Sequence, residues 1–279
     1  MLKDILVHLN GTEGDEGRLT YAGSIGRAHD AFVTGVFLNI SHAPMAVGYA
    51  GFGAAPIITD PKSSMLAVGD KTEKSLKALM DKSLDRPYEF RRYDVYMGEA
   101  IEALCTESRC GDLFVVAQPY GGNAELSELT EALIFGSGRG VMIVPQKVSV
   151  AEKGIRTVLV AWRSTKESAR AVSEAMPLLE HADKVIVAMV DENGAPEQFG
   201  QEPGADIARH LSRHNCTVEL KHLTGWDNVA EALLNEAEKS GANLIVMGSY
   251  GHSRIRQWVL GGVTRHILGK STLPVLTAH

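Results

Sequence analysis

Cysteine is scarce in this 279-residue chain, which holds only Cys105, Cys110 and Cys216. Three thiols cannot all pair, and none has CxxC spacing, which points to a reducing compartment and away from a disulfide scaffold. No neighbouring residue marks any of them as a thiol of lowered pKa, so ordinary buried cysteines are expected. A basic surplus is also missing: 28 Lys and Arg against 34 Asp and Glu give a formal net charge of −6 and a pI near 5.9. That balance argues against non-specific nucleic-acid binding. No apolar run approaches the roughly 18 residues of a membrane span, and Met1-Leu2-Lys3-Asp4-Ile5 enters a strand-like run without a signal-peptide pattern. A cytoplasmic protein with no membrane and no nucleic-acid partner is expected. There is no GxSxG elbow, no HExxH and no kinase signature, so no catalytic residue is assigned.

What is present is enough apolar material for two cores. Hydrophobic residues make up 44% and charged residues 22%, ordinary values for a globular chain, and the length suits two domains of about 140 residues. A search for internal repeats supports the division. Lys3–Asn10 resembles Ile155–Arg163, Tyr93–Leu104 resembles Lys221–Leu233, and Gly111–Val116 resembles Gly241–Val246. Gly140–Val144 is matched to Leu273–Thr277. Two copies are expected, at 1–148 and 149–279, with Pro145–Gly154 as the linker.

Each copy reads as short apolar strands alternating with helical stretches, which predicts α/β architecture with parallel strands covered on both faces. In the first copy, strands are expected at 5–9, 32–40, 89–96, 113–117 and 141–144. Helices are expected at 13–30, 65–84, 99–109 and 126–134. Between the second strand and the second helix, Ser41–Ser64 is rich in Gly, Ala and Pro and reads as a long loop or lid. In the second copy, strands are expected at 157–162, 184–190, 217–223 and 244–247. Ser164-Thr165-Lys166-Glu167 fits a capping box opening a helix with apolar face Ala169, Val172, Ala175, Met176 and Leu179. Pro177 should kink that helix or mark its last turns. Further helices are expected at 203–214 and 227–240.

Leu244–Leu276 carries the densest chemical signal. The apolar run Leu244–Met247 is followed by Gly248 and Gly251, and nine residues later by Gly261-Gly262 before Val263-Thr264. Glycines after a strand let backbone approach a ligand, and a glycine pair opening a helix leaves free N–H groups at the positive end of its dipole. Such an arrangement suits an anion, most naturally phosphate. Gly248-x2-Gly251-x9-Gly261, followed by Val-Thr-Arg-His-Ile-Leu and Leu-Pro-Val-Leu, resembles the phosphate loop of the ATP-binding universal stress proteins. The resemblance implies two tandem open parallel-sheet sandwiches of that fold, paired about a pseudo-two-fold axis like the family's homodimers.

The resemblance further implies a nucleotide site in the second copy. Ala161 and Val190 would offer backbone groups to adenine beside Trp162, Arg163 and Asp191. Met247, Gly248, Gly251, His252, Gly261, Gly262, Val263 and Thr264 would surround ribose and phosphates. Two positions depart from the family pattern. Gly262 stands where a Ser or Thr commonly follows the last motif glycine, and Arg163 stands where an Asp commonly ends the first strand. Arg163 cannot accept a hydrogen bond from an adenine amino group but could stack or approach phosphate, leaving Asp191 as a replacement acceptor. The first copy keeps a family-like turn at Asn10-Gly11-Thr12. However, Gln118 stands where the second copy has Gly248, and three positions are missing before the last strand, so a degenerate site is expected there. Gly136–Gly140 reads as a tight turn into the fifth strand.

Two other patterns are decoys. Gly269-Lys270-Ser271 has the tail of a phosphate-binding P-loop but precedes a strand and lacks the first glycine. His210, His214, Cys216 and His222 could be imagined around zinc, yet they read as a solvated helix face beside a strand. The functional expectation is a stress-response regulatory or protective protein that binds ATP, with AMP or ADP as alternatives, and contacts a protein partner. A nucleotide-free scaffold and a slow nucleotide hydrolase using His252 are the other two readings. Association of two chains is left open.

Overall fold

The computed structural model describes residues 1–41, 61–120, 124–148, 154–191, 204–249 and 261–279, with backbone alone at 61–64. The N-terminal half runs β1 (Asp4–Leu9), α1 (Gly14–His29), β2 (Phe32–Ser41), α2 (Pro61–Ser83), β3 (Tyr88–Tyr96), α3 (Met97–Arg109), β4 (Leu113–Ala117), α4 (Ala124–Gly136) and β5 (Gly140–Val144). The C-terminal half repeats the series: β6 (Thr157–Ala161), α5 (Lys166–Leu179), β7 (Lys184–Val190), α6 (Ala205–Arg213), β8 (Val218–Leu223), α7 (Val229–Lys239), β9 (Leu244–Gly248), α8 (Gly262–Lys270) and β10 (Val275–Ala278). Every expected element is present. The expected loop at 41–64 is shorter than the sequence suggests, because α2 already starts at Pro61, where the missing N–H and fixed φ suit a first helical position. Its stretch 42–60 lies outside the described residues.

All ten strands form one sheet in the order β3-β2-β1-β4-β5-β10-β9-β6-β7-β8. The order reads as the same five-strand pattern from either end. Pairing is parallel everywhere except the central seam, where β5 and β10 run antiparallel with Leu276 opposite Met142. The two expected sheets are therefore continuous. Charged residues on the outer strands, Arg91, Arg92 and Asp94 on β3 and Glu219 and Lys221 on β8, discourage further strand pairing.

Alternation along the strands builds two apolar layers. Ile5, Val7 and Leu9 face the layer under α1, α2, α5 and α6, with Leu19, Met80, Val172 and Leu211. Leu6 faces the opposite layer, under α3, α4, α7 and α8, with Leu104, Leu133, Leu233 and Ile267. Both layers cross the seam.

Helix starts follow local chemistry. Asn228 caps α7, its Oδ1 accepting from the amides of Ala230 at 2.9 Å and Glu231 at 3.3 Å. The cap of α5 is Thr165, whose Oγ1 accepts from the Ser168 amide at 3.4 Å. The capping-box reading had placed it at Ser164, one residue early. Pro177 lies in the last turn of α5, which ends at Leu179.

The strand ladders also fix how the copies correspond. Ala117 pairs with Val144, and Gly248 with Ala278, so Ala117 is the counterpart of Gly248, and Gln118 matches Ser249. Likewise Gly140 corresponds to Pro274 and not to Leu273. The sequence matching was displaced by one residue at both places. A repeated side-chain role marks the register: the Asp112 carboxylate accepts from the amides of Lys3 and Asp4 at 2.6 and 3.1 Å. Asn243 Oδ1 accepts in the same way from Arg156 and Thr157 at 3.1 and 3.2 Å.

Candidate nucleotide site

In the C-terminal half, β6 leads to β7 and β8 on one side, and the chain then crosses back to β9 on the other. The sheet therefore has its topological switch point between β6 and β9, and ligands of open α/β sheets bind beyond the carboxyl ends there. Ala161 and Met247 are opposite one another in that ladder. Trp162 donates its amide to Ala188 O at 2.9 Å and is partly buried against the first apolar layer. Arg163 follows, exposed, its carbonyl accepting from Thr165 N at 2.7 Å. Val190 ends β7, and exposed Asp191 donates its amide to Leu223 O at 3.1 Å with Oδ1 3.6 Å from His222 Nδ1.

Because β9 and β10 are parallel neighbours, the helix between them must run back antiparallel and start at the carboxyl edge of the sheet. That start is bare. The N-cap Gly261 is extended (φ −61°, ψ 157°) and gives no side-chain cap, and the first turn has no acidic residue. A Cβ on Gly262 would meet no described residue within 4 Å. Val263 is exposed, whereas Thr264 is 1% exposed and its Oγ1 has no hydrogen-bond partner among the described residues. The structure thus places Ala161, Met247 and Gly248 at adjoining strand ends and Gly261–Thr264 at a helix start on the same sheet edge. Gly251 and His252 lie outside the described residues.

Gly248 has a packing reason of its own. A Cβ there would fall 2.5 Å from Ser168 N and 2.6 Å from the Glu167 carbonyl carbon, so the end of β9 presses on the first turn of α5. Glu167, 7% exposed at that contact, is a neighbour the sequence reading missed. Burial pulls its carboxyl up, but its own backbone N–H, Thr165 and Lys166 together hold it below the usual range.

The matching edge of the N-terminal half is filled by the chain itself. Asn10 Oδ1 accepts from Thr12 Oγ1 at 2.7 Å and from Arg18 at 2.9 Å. Asp15 pairs with Arg18, both almost wholly buried, and accepts from the amides of Asn10 and Thr12 at 3.2 and 3.0 Å. Arg18 Nε reaches His8 O at 3.0 Å. Burial, followed by the Arg18 charge, pushes the His8 imidazole down to about 3. Gly11, in the left-handed region at φ +76°, has room for no Cβ because Thr72 Cγ2 of α2 would lie 2.8 Å away. Asn39, at the end of β2, donates to Asp94 Oδ1 at 2.6 Å and to Met65 O at 3.0 Å. His8, Asp15 and Arg18 were not singled out in the sequence; the clue was that these three polar residues stand among the apolar positions that β1 and α1 bury.

After β4 the halves part. Residues 118–123 separate β4 from α4, whereas 249–261 separate β9 from α8, and α4 takes up part of the difference with four extra residues. Tyr120, at φ +67°, donates its hydroxyl to Glu131 Oε1 at 2.6 Å. Its ring lies 5.2 Å from the Arg265 guanidinium, which is 3.5 Å from Glu131. Burial and then the Glu131 hydrogen bond raise the Tyr120 hydroxyl.

The decoys are ordinary structure. Gly138 has φ +70° in the turn between α4 and β5. Gly269 and Lys270 end α8, and Ser271 caps it. His210 and His214 rings meet edge-on at 4.9 Å, His214 Nδ1 lies 3.2 Å from Glu180, and no group of three metal-ligating side chains occurs among the described residues. Cys105 and Cys216 are buried, which raises their thiols, and Cys110 is exposed. No described helix is long and apolar enough to cross a membrane.

Comparison with known proteins decides the family of this site. Residues 154–279 match the model of the Universal stress protein family. The chain carries a universal stress protein domain. That domain contains β6 to β10 and every residue of the candidate site. A universal stress protein of Synechocystis sp. is 26% identical over 179 residues, 62% of this chain and 60% of the relative. One of Methanocaldococcus jannaschii is 39% identical over 46 residues, 16% of this chain and 28% of the relative. The chain thus spans less than two thirds of the length of either. A solved universal stress protein from Archaeoglobus fulgidus superposes on 99% of this chain and 95% of its own, with TM-score 0.64 and 17% identity. The fold of the universal stress domain therefore extends over both halves.

Proposed function

We propose that the chain is a tandem universal stress protein, with units at 1–148 and 149–279, whose C-terminal unit binds ATP or a related adenine nucleotide. The observation that carries the reading is the start of α8, bare among the described residues: a glycine pair without a side-chain cap and, in the first turn, a buried Thr264 hydroxyl with no described partner. Free amides, the helix dipole and an orphan hydroxyl form a phosphate-binding set. The intervening segment 250–260 adds His252, Arg254 and Arg256 in sequence. Ala161 and Val190 supply backbone groups for the base, beside Trp162, Arg163 and Asp191. The N-terminal unit, its edge closed by Arg18 and α2, binds no nucleotide. Function is then regulatory: the cytoplasmic protein changes its protein partner contacts with occupancy, through different nucleotide affinities of two states.

Calorimetric titration of ATP into nucleotide-stripped protein tests the reading, with Gly262→Glu as the control. No described residue lies within 4 Å of a Cβ at Gly262, and the carboxylate of that variant would oppose phosphate at the helix start. Saturable binding near one per chain, abolished by Gly262→Glu, is expected; an equal response from both proteins refutes the site. Arg163 in the usual acidic position favours one other reading, a scaffold that kept the fold without the ligand. No heat at millimolar ATP, and no nucleotide released on denaturation, would decide for it.

A further inference from the structure

The nucleotide-free half touches the helix that carries the candidate site at three points. Gln118 Nε2 donates to Ser271 O at the C-cap of α8, at 3.0 Å. Tyr120 lies against the last turn of the helix, where a Cβ on Gly269 would meet its Cβ at 3.8 Å. At the first turn, Arg265 stands over the Tyr120 ring at 5.2 Å and near Glu131 at 3.5 Å. Gln118, Tyr120 and Glu131 belong to the shortened connection after β4 and to α4, the parts of the N-terminal half that depart most from its repeat. Tyr120 is held in the left-handed backbone region at φ +67°, which is unfavourable for an L-residue. Such a conformation persists only where surroundings fix the side chain, and here Glu131 and Arg265 do so.

We propose that Gln118, Tyr120 and Glu131 are positioning residues for α8: the N-terminal half braces the first turn of the helix and thereby sets phosphate affinity in the other half. The site consequence rests on the nucleotide reading above; the mechanical part does not. Arg265 is one helical position beyond Thr264, so holding its guanidinium from outside fixes the direction in which the first-turn amides point. The short connection after β4 then serves as a brace for α8. By linkage, a nucleotide at the start of α8 also tightens the contact with Tyr120.

Hydrogen exchange and ATP titration on the full chain test this together. In Tyr120→Ala, the amides of Arg265, His266 and Ile267 should exchange about tenfold faster while β7 amides are unchanged, and ATP affinity should fall about tenfold. Tyr120→Phe keeps the ring under Arg265 and should recover most of both. Glu131→Gln, a milder change, should move both readouts in the same direction and serves if Tyr120→Ala does not fold. Unchanged exchange in α8 overturns the brace. Faster exchange with unaltered ATP affinity overturns its link to the site. If the wild type binds no ATP, the nucleotide reading falls, and the brace is then judged on exchange alone.

Discussion

His8 should make the protein acid-sensitive well above the carboxylate range. Its side chain is 3% exposed on β1, and burial together with Arg18 lowers its pKa from 6.5 to about 3. The folded value lies below the unfolded one, so between these limits the unfolded chain binds more protons and stability falls as pH falls. At pH 5 an unfolded histidine is almost wholly charged and His8 is almost wholly neutral. The linked loss between pH 7.5 and pH 5 is about 2 kcal/mol for this one residue. His29, lowered to about 4 mainly by burial and then by His181, acts with the same sign. Carboxylates held low, such as Glu219 at about 2, contribute only at more acid pH. Urea unfolding at both pH values, in wild type and His8→Leu, isolates the effect, because only the pH dependence is read and not the absolute stability. The variant should lose about 2 kcal/mol less than wild type across the window, with the urea slope unchanged. Parallel losses in the two proteins would refute the reasoning, since His8 would then titrate normally in the fold.

Gly248→Ala should cost about 1–3 kcal/mol in thermal or urea unfolding because its methyl group meets the backbone of α5, whereas Gly262→Ala should stay within about 0.5 kcal/mol. Equal stability of Gly248→Ala and wild type would mean that α5 can retreat. Thr264→Val removes a buried hydroxyl that has no partner among the described residues, so the ligand-free protein should gain about 1 kcal/mol while ATP affinity falls; a destabilised variant would show that the hydroxyl is bonded after all.

Strand and helix order was legible because the pattern of apolar runs is strong: β4 and β7 have the expected bounds to the residue. Register between the copies was not, because glycines were aligned with glycines. Gly111 and Gly241 look equivalent in sequence, yet the residues that keep a common job are Asp112 and Asn243, each receiving two backbone amides. The start of α2 was misjudged because small residues hide the helical period before Met65. At the site, the bare start of α8 could be read from Gly261-Gly262, but the reason for Gly248 could not, since its contact comes from α5, some 80 positions earlier in the chain. The closed edge of the N-terminal half was equally hidden. Asn10-Gly11-Thr12 is family-like as text, and only folding brings Arg18 and Thr72 onto it.

The antiparallel seam of β5 and β10 joins the two halves of one chain. Subunits of a dimer must find each other, and their association fades on dilution. Here both strands of the seam belong to one chain, so dilution does not part them. Two identical subunits would also be forced to change together. A fused pair escapes that rule, and a substitution on one side of the seam leaves the other side free to keep its original chemistry.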